Sequence, residues 1–370
     1  DQAAAYARDL QAYHKECAKT TVKCLLILSQ GFNETQTKGG VEIIGSEAFS
    51  RYCINFMDKK KMPVDLQAFL SFESYQPLPS LIKAARELFN SGTLTRIHRA
   101  ATATEPTLIE CSSIIHETAK KKRRALILIS GVPGAGKTLV GLQLAHAKYL
   151  DNLSVERSDG NKPNAAAVFL SGNGPLTEVL QYELKSAGGD GKSFVRGVHS
   201  YVKNYTRSSH SIPPHHVLIY DEAQRAFDPE QVRAKHHNMS SEFEGLSEPE
   251  LFIRFAESVP EWCVVVGLIG TGQEIHIGEE AGLGQWRSAI DKSNSPDQWD
   301  VYGPSDKTVK SNFKDFPRLQ CNKVLELTTT IRFHLATRLH DFVEHLLNGE
   351  SEDAQKISFE LEKNGYNLRL

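Results

Sequence analysis

From residue 125 onward the chain is a succession of short apolar runs, at 125–130, 166–171, 217–220 and 264–269, separated by stretches of helical spacing. A strand covered on both faces needs apolar residues at every position rather than at alternate ones. Strands that alternate with helices predict a mostly parallel sheet with helices on both sides. Ligands of such sheets bind beyond the carboxyl ends of the strands. Each run here ends in residues suited to that place: the glycine-rich stretch at 131–138, Ser171-Gly172-Asn173-Gly174, Asp221-Glu222, and Gly270-Thr271-Gly272-Gln273.

Before residue 125 the pattern is less regular. Tyr6, Leu10, Tyr13 and Cys17 share one face of a helix spanning 1–20. The apolar run 22–28 predicts a strand. A second strand is expected at 41–44 and a helix at 47–56, with helical spacing again at 81–90 and 108–120. The basic run Lys120-Lys121-Lys122-Arg123-Arg124 reads as a solvated helix end. Residues 151–164 and 284–320 are polar and irregular, and are expected to be surface loops or insertions. A new unit is expected from about 325, with a helix over 335–347. The resulting division is an N-terminal α/β region (1–104), a core built on the apolar runs (105–320) and a further unit (321–370).

Gly131-Val132-Pro133-Gly134-Ala135-Gly136-Lys137-Thr138 completes a phosphate-binding loop between a predicted strand and a predicted helix. Glycines let successive N–H groups converge on one anion, and the helix N-terminus adds partial positive charge there. Residues 131–139, closing on Leu139, are the expected nucleotide-binding stretch. Lys137 is expected on the β- and γ-phosphates, and Thr138 on a magnesium ion. The strand Val217-Leu218-Ile219-Tyr220 ends in Asp221-Glu222, whose side chains would alternate across the sheet. Asp221 is assigned to the metal with Thr138, and Glu222 to orienting or deprotonating water. Gln273 can accept from water and donate to a γ-phosphate, and Gln224 can link that state to neighbouring loops. Arg332 is placed to neutralise charge on a transferred phosphoryl group.

Composition narrows the surroundings of this site. A formal net charge of −2 gives no global basic field, although a local groove remains open. The cysteines at 17, 24, 53, 111, 263 and 321 form no CxxC pair, which argues against a disulfide framework and a zinc site and fits a reducing cytosol. No apolar run reaches membrane-span length. The pairs His215-His216 and His236-His237 lack carboxylate or cysteine companions at ligand spacing and are read as surface histidines. Tyr201-Val202-Lys203-Asn204-Tyr205 with Arg207 fits either a strand-binding surface or an amphipathic helix. A small-molecule kinase shares the loop but does not call for an Asp-Glu strand end.

Taken together, the glycine loop, Leu170-Ser171-Gly172-Asn173-Gly174-Pro175-Leu176, Asp221-Glu222-Ala223-Gln224-Arg225-Ala226 and Gly272-Gln273-Glu274-Ile275 before Gly278-Glu279 resemble the Schlafen group three DNA/RNA helicase-like domain, a superfamily-one helicase relative. The resemblance covers about 105–370. It implies a RecA-like fold, ATP as substrate, Mg²⁺ as cofactor and single-stranded DNA or RNA as partner. It also implies that Ser171–Leu176 lies near the strand, and that Ile331-Arg332 begins a second lobe. The remaining motifs of that lobe would lie beyond residue 370, so this stretch alone is not expected to translocate. Gln2 and Tyr6 are similar to a QxxxY pair of PD-(D/E)XK nucleases, whose metal-binding carboxylates would precede residue 1. The alternative function is a nucleotide-gated switch that controls a nuclease or another effector without unwinding, as in bacterial defence, with a protein effector or self-association as the partner.

Overall fold

The structure, a computed structural model, describes residues 6–7, 10–11, 14, 16–17, 22–30, 35–38, 41–56, 65–71, 74, 98–132, 134–157, 160, 162–163, 165–186, 194–208, 210–236, 238–270, 282–328, 341–343, 345–346 and 349–363. The chain forms two compact units, Asp1–Leu78 with Arg332–Leu370, and Pro79–Ile331.

In the first unit β1 (Cys24–Leu28), β2 (Gln36–Lys38) and β3 (Val41–Gly45) form a sheet of order β1-β3-β2. β3 runs parallel to β1 and antiparallel to β2. Helix α1 (Ser46–Phe56) follows directly, then α2 (Leu66–Leu70), whose first turn is capped by the Asp65 carboxylate accepting from the Gln67 amide at 2.9 Å. The strands expected at 22–28 and 41–44 and the helix at 47–56 are present. β2 was not foreseen, because Gln36-Thr37-Lys38 is polar throughout. Tyr6 is 60% exposed, so it does not share a buried face with Cys17, which is 5% exposed. Gln2, Tyr13 and the stretch 81–90 lie outside the described residues.

The second unit is built on β4 (Arg124–Gly131), β5 (Ala167–Ser171), β6 (Val195–Gly197), β7 (Val217–Asp221), β8 (Cys263–Gly270), β9 (Trp299–Gly303), β10 (Leu319–Cys321) and β11 (Glu326–Leu327). They form one sheet of order β10-β9-β4-β8-β7-β5-β6, with β11 also on β4. Every pairing in it is parallel. The sheet and its helices are the α/β arrangement of a RecA-like core. Around it lie α3 (His98–Lys121), α4 (Lys137–Ala145), α5 (Gly174–Ser186), α6 (Val198–Tyr205), α7 (Pro229–Lys235), α8 (Glu248–Ser258), α9 (Gly282–Asp291) and α10 (Lys307–Asn312). The expected boundary at 104/105 falls inside α3, and β11 carries the sheet past residue 320.

Period-two alternation sorts the strand residues between two cores. Leu126, Leu128, Leu218, Tyr220 and Val265 join a cluster with α6, α8, α9 and α10. Between them Ile127, Ile219 and Val266 are fully buried on the other face. There α4 approaches closely: a Cβ at Gly141 would sit 2.8 Å from both Leu268 and the Phe169 ring. Thr104, Thr107, Cys111, Ile114, Ile115 and Thr118 make the buried stripe of α3, at the i, i+3, i+4 spacing of an amphipathic helix. In the first unit α11 (Ser351–Lys363) buries Ala354, Ile357 and Leu361 with Phe342. No helix among the described residues is long and apolar enough to cross a membrane.

Three expectations need correction. Residues 284–320 are not loops: they supply α9, α10, β9 and β10, and bury Trp286, Trp299, Val301, Val309 and Phe313. Their apolar residues are thinly spaced along short elements: β9 buries Trp299, Val301 and Tyr302, and α10 only Val309. The basic run is only half a solvated helix end. Lys121 and Lys122 pair at the surface with Glu117 and Glu261. Arg123 instead binds Asp300 at 2.7 Å, and Arg124 donates to the carbonyls of Ala256 (2.7 Å) and Val259 (2.7 Å), where α8 leaves acceptors unpaired. His215, His216 and His236 are 3%, 0% and 7% exposed, so they are not surface histidines. Of the two readings of 201–205, the structure shows the amphipathic helix: Tyr201 is fully buried while Lys203 and Asn204 are exposed.

Candidate nucleotide site

The glycine loop sits where β4, an interior strand of the sheet, meets α4. Gly134 and Gly136 adopt φ of 77° and 97°, a region that favours glycine. Gly136 is also the N-cap of α4 and offers no side chain to its first amides. Those amides and the helix dipole are therefore left to an external anion. Gly131 has a different reason to be glycine. A Cβ there would lie 2.9 Å from Leu327, because β11 pairs Leu327 with Gly131. Ala135 and Leu139 are buried, while Val132 and Thr138 are half-buried; Pro133 lies outside the described residues. The Lys137 ammonium folds back onto the loop, donating to the carbonyl oxygens of Gly131 (2.6 Å) and Val132 (3.3 Å).

Strand β7 delivers Asp221 to the same place. Its Oδ1 accepts from the Thr138 hydroxyl at 3.4 Å. Burial pushes the Asp221 carboxyl up to about 7, and the Glu222 charge adds to the rise. The Thr138 hydroxyl and the Lys137 charge pull the other way. A buried carboxylate whose charge is this poorly compensated, beside a threonine hydroxyl, fits a hard divalent cation. The residues present thus suit Mg²⁺.

Glu222 does not continue the strand. It stands in left-handed conformation, φ 56° and ψ 48°, so a turn separates its carboxylate from that of Asp221 rather than sheet alternation. Its Oε2 accepts from Gln224 Nε2 at 2.6 Å, and Arg225 Nε lies 4.0 Å away. Gln224, 4% exposed, spends its other end on β8: its Oε1 accepts from the Gly270 amide at 3.1 Å. On the far side α9 closes in. Trp286 Nε1 donates to the Ala223 carbonyl at 2.9 Å, and a Cβ at Gly282 would lie 2.8 Å from the Gln224 carbonyl oxygen.

Lys137, Thr138, Asp221, Glu222 and Gln224 thus converge on one end of the sheet. Gln273 follows Gly270, and Gly270 pairs with Gly131 across β4 and β8. Arg332 follows Leu327, the partner of Gly131 on β11. Gln273 and Arg332 themselves lie outside the described residues. In the Ser171–Leu176 stretch Ser171 ends β5 and is buried, Gly172-Asn173 form an exposed turn, and Gly174–Leu176 open α5, where Asn173 Oδ1 accepts from the Leu176 amide at 3.1 Å. What sequence reasoning missed is the clamp from α9. Only Trp286, a large apolar residue within a polar stretch, hinted at it.

Residues 124–370 match the family described as Schlafen group 3, DNA/RNA helicase domain. Among curated proteins none matches the chain.

Proposed function

The chain belongs to the Schlafen group 3 DNA/RNA helicase domain family, and on that premise we propose that it is an ATPase, dependent on Mg²⁺, that acts on single-stranded DNA or RNA. The observation that carries this reading is the approach of Thr138 to Asp221, 3.4 Å apart across two elements, beside an uncapped helix N-terminus. The loop amides receive the phosphates. Lys137 exchanges the Gly131 and Val132 carbonyls for β- and γ-phosphate oxygens. Thr138 and Asp221 would hold Mg²⁺, which would supply neutralisation of phosphate charge when bound. Glu222 orients the attacking water or takes its proton, and Gln224 sets the direction of that carboxylate. Gln273 is assigned to sensing the γ-phosphate, as a neutral amide able to accept from water and donate to a phosphate oxygen.

The turn after β5 supports a nucleic-acid partner. Gly172 and Gly174 are exposed, and a Cβ at either would meet nothing within 4 Å. Internal packing therefore does not require glycine there, whereas close approach of a ligand backbone would. The test is phosphate release with and without single-stranded DNA and RNA. Stimulation by one of them and loss of turnover in Lys137→Ala are expected. Absence of any heat of binding for Mg·ATP in calorimetry would end the reading.

A second reading is a nucleotide-gated switch that controls a nuclease, another effector or self-association. The Gln224 bridge from Glu222 to Gly270 favours it, because it ties the water-facing carboxylate to the start of the next segment. Turnover without strand displacement, together with nucleotide-dependent assembly, would select the switch.

A further inference from the structure

Behind β7, away from the glycine loop, three side chains meet whose hydrogen-bonding capacity is left open. His199 is at the start of α6, His236 follows α7 and Glu248 opens α8. One potential ligand atom from each lies within 4.8 Å of the others. Glu248 is 1% exposed and His236 is 7% exposed. Glu248 Oε1, His199 Nδ1 and both ring nitrogens of His236 have no hydrogen-bond partner among the described residues. Buried polar atoms are rarely left so, since each unmade bond carries its full desolvation cost.

The carboxylate is also aimed. Glu248 Oε2 accepts from the Tyr220 hydroxyl at 2.5 Å and from the Phe227 amide at 2.9 Å, which turns Oε1 towards the two imidazoles. Such outer contacts orient metal-binding carboxylates. His199 Nδ1 stands 3.4 Å from Glu248 Oε1. Two ligands of a tetrahedral zinc ion, each about 2.0–2.1 Å from the metal, are themselves about 3.3 Å apart. A histidine–glutamate pair alone would leave both His236 nitrogens idle.

We propose that His199, His236 and Glu248 form a three-ligand site for a divalent transition-metal ion of the zinc class, separate from the nucleotide site. Two imidazoles and one carboxylate suit Zn²⁺ better than Mg²⁺, which prefers oxygen ligands throughout. His199 is half-buried, so its edge leaves a fourth position for water. The ion would brace α6, the end of α7 and the start of α8 against Tyr220 and Phe227, which flank the acidic turn.

The test measures metal on the intact chain, without nucleotide and in excess Mg²⁺. The chain is stripped with EDTA, loaded with Zn²⁺, gel-filtered and analysed by mass spectrometry for zinc. A parallel sample is loaded with Co²⁺ and its visible absorption recorded. Retained zinc at one ion per chain and the bands of four-coordinate cobalt are expected. His199→Ala and His236→Ala should each weaken binding about tenfold or more, whereas His345→Ala, in the exposed trio with Glu350 and Asp353, should not. Failure to retain zinc, or equal retention in the His199 and His236 variants, would overturn the site. The cobalt spectrum of the unaltered chain decides the matter should a variant fail to fold.

Discussion

Gln224 is the side chain through which the acidic turn is held to the sheet, and replacing it separates two effects. In Gln224→Ala the Gly270 amide loses its acceptor while remaining buried, which costs about 1–3 kcal/mol. Glu222 loses a donor at 2.6 Å, but its carboxylate is 36% exposed and water replaces the bond, so that part adds about 1 kcal/mol or less. The alanine variant should therefore unfold about 1–4 kcal/mol more easily. Gln224→Glu keeps an oxygen for Gly270 and so preserves that bond. It also replaces the donor to Glu222 by a like charge at hydrogen-bond distance, which drives the two carboxylates apart. A misplaced general base forfeits part of its contribution of about 10²–10⁴ in rate. Turnover in Gln224→Glu should fall at least about tenfold, equivalent to about 1.4 kcal/mol, with a smaller stability loss than in the alanine variant. Urea unfolding followed by far-UV circular dichroism and steady-state phosphate release measure the two quantities. Wild-type kcat in Gln224→Glu, or an unchanged unfolding midpoint in Gln224→Ala, would refute the reasoning.

Other consequences follow from the same geometry. Glu222→Gln should bind Mg·ATP in calorimetry as the unaltered chain does, yet show no turnover; full activity would remove Glu222 from its role. Gly141→Ala should lower stability by about 1–3 kcal/mol through overpacking against Phe169 and Leu268, partly offset by about 1 kcal/mol of helix propensity. Chemical denaturation with and without the substitution checks this. His216 should make stability fall with acid. Its Nδ1 donates to the Trp262 carbonyl at 2.8 Å and its Nε2 accepts from the Val155 amide at 3.2 Å, a pattern only the neutral ring satisfies. Burial pushes it down to about 4. The folded state thus binds fewer protons than the unfolded state between about pH 6.5 and 4. The stability is complete above that window and falls by about 3 kcal/mol on crossing it. His216→Phe should flatten this part of the unfolding profile measured at several pH values.

The sheet core was legible because buried parallel strands are written as unbroken apolar runs, as in Ala125-Leu126-Ile127-Leu128-Ile129. The loop and the acidic pair were legible because their chemistry needs particular residues at particular spacings. β10 and β11 escaped because strands of three and two residues carry no period. Arg124 escaped for another reason: its partners are carbonyls of α8, and a carbonyl has no letter in a sequence. The buried histidines failed in the same way. His236 and Glu248 are distant in the chain, and only the packing of α6, α7 and α8 brings them within reach of each other.

The arrangement around Gln224 bears on how a nucleotide would be felt elsewhere. The segment 271–281, which carries Gln273, begins after Gly270 and ends before Gly282. Gly270 donates to the Gln224 side chain, and Gly282 lies against the Gln224 backbone. Gly270 and Gly282 are therefore both held against the residue that binds Glu222. Trp286 adds a second attachment one residue earlier, at the Ala223 carbonyl. With a Cβ at Gly282 lying only 2.8 Å from the Gln224 carbonyl oxygen, the turn has little slack towards α9. Closely packed interfaces respond to such displacement by changing partners rather than by yielding gradually. A Glu222 carboxylate drawn toward a γ-phosphate would thus either break the Gln224–Gly270 bond or carry the end of β8 with it. A helicase and a switch would share that first step.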